Sequence, residues 1–286
     1  MIAALVDQGY RPKRCCRILG VAPAGYFVWK RGPVSQAELR RQWLRQVITQ
    51  PHSASRGTYG YRRVRAELRL GLGIAISGKT VHKLMVEGGL VGLPLRRRRK
   101  SLVNVATFED LVQRNFTRDA PNQLWVTDIT EHPTREGKVY CCVVLDAHSR
   151  RVVGWSIDTH QASSLVTNAL SMALTNRTPT TSTVIHSDHG SQFTCWSFTE
   201  RVRQAGLAPS MGTVGDACDN AVIESFWGRL QTELLNRQKW RTRIELSSAI
   251  FEYLEIFNNR TRRHSSLGML TPVDYENLHP GSASVA

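Results

Sequence analysis

Three apolar, β-rich runs follow one another after Pro121 with only short polar turns between them: LWVTDIT from Leu124, KVYCCVVLD from Lys138 and RVVGWSID from Arg151. No other feature of the chain narrows its fold so far. Val, Ile, Tyr and Trp suit a pleated, half-buried surface, and turns this short join antiparallel neighbours, so the runs predict a meander. A helical stretch, SSLVTNALSMALTNR, comes next, then the buried-type strand STVIHSD and the helix CWSFTERVRQAG. A loop rich in Gly and Asp, SMGTVGDACDN, leads into AVIESFWGRLQTELLN and a last long helix, RIELSSAIFEYLEIFNNR. Strands first, then helix and strand in alternation, give the α/β class: a mixed sheet with helices on its faces.

Upstream of Pro121 the pattern is helical. PKRCCRILG, the turn GVAPAG and YFVWKR have the cadence of a helix-turn-helix over residues 1–35. After the breaker RGPVSQ, helical periodicity resumes through Leu39, Trp43, Val47 and Ile48. GYRRVRAELRL and SGKTVHKLMVEGGL then form a second helix pair within residues 36–95, with Ser77 as N-cap and Ile76 as staple. Val81, Leu84 and Met85, at i, i+3 and i+4, are expected to face the core. That spacing turns Lys79, His82 and Lys83 outward, where a recognition helix meets DNA, with Arg62, Arg63, Arg65 and Arg69 beside them. Such a helix pair can also be a plain packing module.

The charge distribution bears on that choice. Residues 1–120 carry 23 Lys and Arg against 7 Asp and Glu, a net of +16, whereas residues 121–286 carry 15 against 16, a net of −1. All the excess positive charge therefore lies ahead of the sheet unit, as in a polyanion-binding front end. The run LRRRRKS, with Arg96, Arg97, Arg98, Arg99 and Lys100, makes a merely solvated basic face the weaker reading. Residues 96–120 read as a basic linker laid along a phosphate backbone, residues 121–276 as the sheet unit and residues 277–286 as a disordered tail. No apolar run approaches the roughly 20 residues that span a bilayer, and no basic amphipathic helix suggests membrane attachment. The N-terminus lacks a signal-peptide pattern. Six Cys without CxxC spacing suggest neither a disulfide framework nor a zinc knuckle, so a reducing cytoplasm is the expected setting.

Three carboxylates sit where structure alone does not ask for them. Asp128 lies inside the first strand, where Asp is depleted; Asp188 is the last residue of STVIHSD, at the end of the fourth strand; Glu224 lies one turn into a helix with Ile223, Phe226, Trp227, Leu230 and Leu234 on its apolar face. Strand ends and a neighbouring helix can gather such groups at one edge of a sheet. Clustered carboxylates repel unless cations neutralise them, so the set reads as a site for Mg²⁺ or Mn²⁺. Two such ions suit phosphoryl transfer, with Asp128 bridging, Asp188 completing one shell and Glu224 the other. Asp146, Asp216 and Asp219 read instead as turn and capping residues. His186 and His189, at i and i+3, could suggest zinc, yet no further His or Cys is placed to complete a tetrahedron.

WVTDIT, HSDHGSQFT and CDNAVIESFWGRLQTEL, with 59 residues between Asp128 and Asp188 and 35 between Asp188 and Glu224, resemble the DDE catalytic core. Retroviral integrases and bacterial insertion-sequence transposases share that core. SRRVVGW, NRTRRHSSLGMLTPVDY and SRGTYGYRRVRAEL bring the resemblance closer to the second-frame (OrfB) protein of the IS-three group, over roughly residues 40–276. The resemblance implies an RNase H-like fold, divalent-metal chemistry, and cutting of DNA ends followed by 3′-hydroxyl strand transfer. It also implies a bacterial, nucleoid-associated enzyme, a homo-oligomer on DNA, and an upstream-frame protein as fusion or partner. The family often has Lys seven residues after the glutamate; here Gln231 stands there, on the same helical line as Glu224, whereas Arg229 points elsewhere. A nuclease acting on RNA–DNA hybrids, or a catalytically silent DNA-binding protein, are the alternative readings.

Overall fold

In the computed structural model, the structure describes residues 1–32, 34–93, 112, 115–211 and 221–280. The chain opens with three short helices, α1 (Ile2–Asp7), α2 (Pro12–Ile18) and α3 (Pro23–Arg31). Pro at the first turn starts both α2 and α3, where its missing N–H has no intrahelical partner to lose. Cys15, Cys16 and Tyr26 are the buried side chains of this group.

The next helices are α4 (Gln36–Ala54), α5 (Tyr61–Leu70) and α6 (Gly78–Glu87). Ser35 caps α4 and Ser77 caps α6, each side chain accepting the N–H three residues on. Val81, Leu84 and Met85 are buried, as their spacing predicts. The buried seam of α4 differs from the expected one: Leu44, Ile48 and Pro51 pack inward, while Leu39 and Trp43 are exposed. Helices α5 and α6 cover the stripe of α4 that carries Leu44 and Ile48, and Arg41 and Arg45 of α4 pair with Glu87 at the end of α6.

The sheet comprises β1 (Leu124–Thr134), β2 (Gly137–Asp146), β3 (Val152–Asp158), β4 (Val184–Ser187) and β5 (Ala208–Met211), in the order β3-β2-β1-β4-β5. The first three pair antiparallel; β4 joins β1, and β5 joins β4, in parallel. Helix α7 (Ser163–Asn176) links β3 to β4, and α8 (Ser191–Thr194) and α9 (Trp196–Gln204) link β4 to β5. Beyond residue 220 come α10 (Ala221–Glu233), α11 (Arg243–Glu252), a π-helical stretch (Tyr253–Thr261) and α12 (Pro272–Leu278).

Both faces of the sheet are covered, which is why its strands read as near-continuous apolar runs. Leu124 and Val126, with Val139, Cys141, Val143 and Leu145, join one core with α10 and α11; Trp125, Cys142, Val144 and Ile185 join the other with α7 and α9. The alternation follows the two-residue period of a strand. The first core runs on without a break into Leu44, Ile48, Val64, Leu68 and Val81 of the helical region. Polar ties reinforce this junction: Tyr59 donates its hydroxyl to the Thr261 carbonyl at 3.2 Å and accepts the Arg263 N–H at 2.8 Å.

Three features depart from the sequence expectation. The strand β5 lies where a loop begins; it is four residues long and holds Pro209, which an edge strand tolerates. The last long helix widens into a π-helix after Glu252, because Asn259 turns inward to accept the Val152 N–H and donate to the Val152 carbonyl, at 2.9 Å each. Part of the expected linker is packed rather than open, since Val112 and Phe116 are buried in the first core. Arg96, Arg97, Arg98, Arg99 and Lys100, like Asp216 and Asp219, lie outside the described residues. All five described cysteines are free thiols, and no described helix is long and apolar enough to cross a membrane.

Candidate active site

The β1–β4 ladder brings the first two carboxylates together. Leu124, Trp125 and Val126 pair with Val184, Ile185 and His186 at a constant offset of 60 positions. Carried two residues further, that register sets Asp188, just past the end of β4, beside Asp128. The spacing of the two aspartates along the chain is thus the register of a parallel strand pair. Asp128 shares the face of Leu124 and Val126, toward α10, and there the Trp227 indole N–H donates to its Oδ2 at 2.9 Å. Ile129 N–H donates to Oδ1 at 2.7 Å. Glu224 lies one turn before Trp227 on the same helix, so its helix is pinned over Asp128.

Electrostatics report the same grouping. Burial, and next the charge of Asp188, push the Asp128 carboxyl up to about 7; the Ile129 and Trp227 N–H groups pull it back, and Glu224 adds to the rise. Asp128 is half-buried, while Asp188 and Glu224 are exposed. Gly190 N–H donates to Asp188 Oδ1 at 3.0 Å, steadying the loop after β4. As the side chains stand, no three His, Cys, Asp or Glu among the described residues converge closely enough to hold a metal ion. His186 is buried and turned away, its Nδ1 3.0 Å from Ser210 Oγ and its ring edge-on to Phe116. Asp146 is a capping residue as expected, accepting N–H groups from Asn122, His148 and Ser149.

Around this centre, Gln231 is half-buried on α10. Arg229 is directed elsewhere, its Nη1 donating to Ser225 Oγ at 2.8 Å. Lys79, His82, Lys83 and Arg62 are exposed on the helical region. Arg63 corrects the expectation of an outward row: its side chain is 19% exposed and approaches buried Glu233 at 3.7 Å. One residue of rotation around α5 is enough to move it from the solvent face to the junction with the sheet unit.

Two functional groups escaped the sequence reading. Trp227 reads there only as part of an apolar face; its indole N–H, one turn past Glu224, is the signal that it also holds Asp128. Glu233 and Arg262 form a buried pair, with guanidinium Nε and Nη2 donating to the carboxylate at 2.8 and 2.7 Å. They lie 29 positions apart, and nothing local marks them as partners.

A mixed 3-2-1-4-5 sheet with helices on both faces, an aspartate within β1, a second just past the end of β4 and a glutamate on the covering helix define an integrase-type, RNase H-like core. Accordingly, residues 118–217 and 205–272 match two families described as integrase core domain, and residues 38–100 match the HTH-like domain. A 31 kDa protein of insertion element IS600 from Shigella sonnei is 34% identical over 275 residues, covering 94% of this chain and all of that one. Transposase InsF of insertion sequence IS3A from Escherichia coli is 33% identical, covering 93% of each chain. The chain belongs to the IS3 family of insertion-sequence transposases, with an integrase core and an HTH-like N-terminal region. Among solved structures, the HTLV-2 integrase catalytic core domain, determined in complex with magnesium, aligns with 55% of this chain and 97% of its own, at 21% identity and a TM-score of 0.42.

Proposed function

We propose that this chain cleaves phosphodiesters at the ends of an insertion sequence and joins the 3′-hydroxyl ends to target DNA, with Asp128, Asp188 and Glu224 as catalytic, metal-holding carboxylates. The observation that carries the reading is the β1–β4 register, which sets the Asp188 position beside Asp128 under the helix that bears Glu224. The donor set is all oxygen, and the Asp128 carboxyl is crowded by two like charges, both of which suit Mg²⁺ or Mn²⁺. Two such ions, when bound, would activate the attacking hydroxyl and stabilise the leaving 3′-oxygen. Trp227 and Ile129 hold the Asp128 carboxylate in one orientation, and the Gly190 N–H does the same for Asp188. Glu224 and Asp188 are exposed, so the site opens outward to a DNA strand.

We assign DNA contact to Lys79, His82 and Lys83 on the outer face of α6 and to Arg62 on α5. The Arg96–Lys100 run and Gln231 complete the assignment, with a homo-oligomer on DNA, and an upstream-frame protein as fusion or partner, as the working form. Cleavage and strand transfer on labelled element ends, with Mg²⁺ present or chelated, test the reading. Asp128→Ala, Asp188→Ala and Glu224→Ala are each expected to abolish both steps while DNA affinity is retained, because members of one site act as a unit. Joining at the wild-type rate by any of the three would overturn the assignment. Cutting of an RNA–DNA hybrid in preference to element ends would favour a nuclease, and binding without cutting a silent DNA-binding protein.

A further inference from the structure

A groove on the helical region differs in kind from the carboxylate centre. It has a volume of about 600 Å³ and lies between α5, the first turn of α6 and the turn at Gly268 and Met269. Arg62, Arg65 and Arg69 line it from α5, and Lys79 from α6; among the described residues no carboxylate does. Glu67, the acid on the same helix, is turned away and takes the Arg263 Nε at 2.6 Å. Four cations that share one concavity, with no counter-charge among the described lining residues, repel one another, and an anion relieves them.

The arginines are braced rather than loose. Arg65 donates Nε to the Ile76 carbonyl at 3.1 Å, and Arg62 donates Nε to the Tyr61 hydroxyl at 3.2 Å. Among the described residues neither pair of terminal nitrogens is bonded, so each guanidinium presents the two-pronged edge that suits a phosphate. The opposite wall is unusual in its backbone. Gly268 and Met269 are consecutive left-handed residues, at φ of 63° and 69°. For Met that conformation costs about 1–2 kcal/mol. The turn is held by the His264–Leu270 bridge and by the Met269 N–H donating to the His264 carbonyl at 2.8 Å. It leaves the outer face of Gly268 open, with nothing within 4 Å of the position a Cβ would take.

We propose that this groove clamps the phosphate backbone of one strand of duplex DNA, and that the 268–269 turn of the integrase unit is its second wall. The proposal rests on the reading of the chain as a DNA-processing enzyme and adds a site to it. Arg62 and Arg69 stand seven residues apart on α5, about 10 Å along the axis. That length spans about three nucleotide steps of one strand at its 3.4 Å rise. A clamp shared by the HTH-like region and the integrase unit fixes the orientation of the bound duplex relative to the catalytic face, which a recognition helix alone does not do.

The test uses the full chain and a fluorescent duplex of arbitrary sequence, with affinity measured against salt. Arg65→Gln/Arg69→Gln is expected to weaken binding about tenfold or more and to lower the slope of log K against log salt by about two, roughly one per lost phosphate contact. Met269→Glu, which leaves every α5 cation in place, is expected to weaken binding by a similar factor. Thermal melts establish that each variant is folded. A folded double variant with the wild-type slope overturns the clamp. Wild-type affinity in Met269→Glu overturns the second wall. Groove variants that bind normally while the carboxylate variants fail to join strands would refute this proposal and leave the proposed function standing; the reverse pattern would do the opposite.

Discussion

Replacing Glu233 by Gln removes the carboxylate at the centre of a buried cationic cluster. Glu233 is 5% exposed and Arg262 1%; the pair is bidentate, the Tyr253 hydroxyl donates to Glu233 at 2.8 Å, and Arg63 approaches it at 3.7 Å. Glutamine keeps the volume but turns an amide toward the guanidinium, leaving Arg262 charged and uncompensated in a site already near Arg63 and Arg229. Breaking a buried pair from one side costs about 3–5 kcal/mol, a large part of a typical net stability of about 5–15 kcal/mol. At about 2–4 °C per kcal/mol for a unit of this size, the melting temperature is expected to fall by about 10 °C. The assay is thermal and urea unfolding followed by circular dichroism, beside Arg203→Ala, which opens a solvent-screened pair with Glu200 and is expected to leave the melt nearly unchanged. Glu233→Met/Arg262→Met is expected to recover most of the loss, since removing both charges leaves none stranded. The pH dependence has a definite sign. Burial works to raise the Glu233 carboxyl, but the bonds and charge of Arg262, the Tyr253 hydroxyl and Arg63 leave it below its ordinary value. Its stabilisation is therefore fully present above the ordinary carboxylate pKa and is lost as pH falls through the lowered one. A Glu233→Gln melt within about 2 °C of wild type, no larger than expected for an exposed pair, would refute the reasoning.

Two further outcomes concern the site. Trp227→Phe keeps the ring and deletes the N–H held to Asp128, so strand transfer is expected to fall about tenfold with DNA affinity unchanged, the scale of one hydrogen bond to a charged group; an unchanged rate would detach Trp227 from the chemistry. Gln231→Lys is expected to retain activity and to steepen the salt dependence of DNA binding by about one phosphate contact; an unaltered slope would mean that α10 turns this position away from DNA.

What the sequence by itself determined is what near neighbours decide. Ser77 before an i, i+3, i+4 apolar pattern caps α6 and buries Val81, Leu84 and Met85 wherever that helix packs. The runs after Pro121 form β1, β2 and β3 because their turns are too short for any pairing but the antiparallel one. Asp128 stood out because a strand interior has no local use for a carboxylate. Its distance to Asp188 carried long-range information only because β1 and β4 pair at that same offset. Tertiary structure decided the rest. Whether Arg63 or Arg62 faces solvent depends on which side of α5 meets the sheet unit, and Leu39 and Trp43 stay exposed because the neighbouring helices cover a different stripe of α4. The π-helix exists because Asn259 reaches Val152, 107 positions away, and Glu233 finds Arg262 across a junction that neither segment announces. Side-chain periodicity encodes which face of an element is apolar; which partner covers that face, and which polar groups it thereby traps, is decided only when the elements pack.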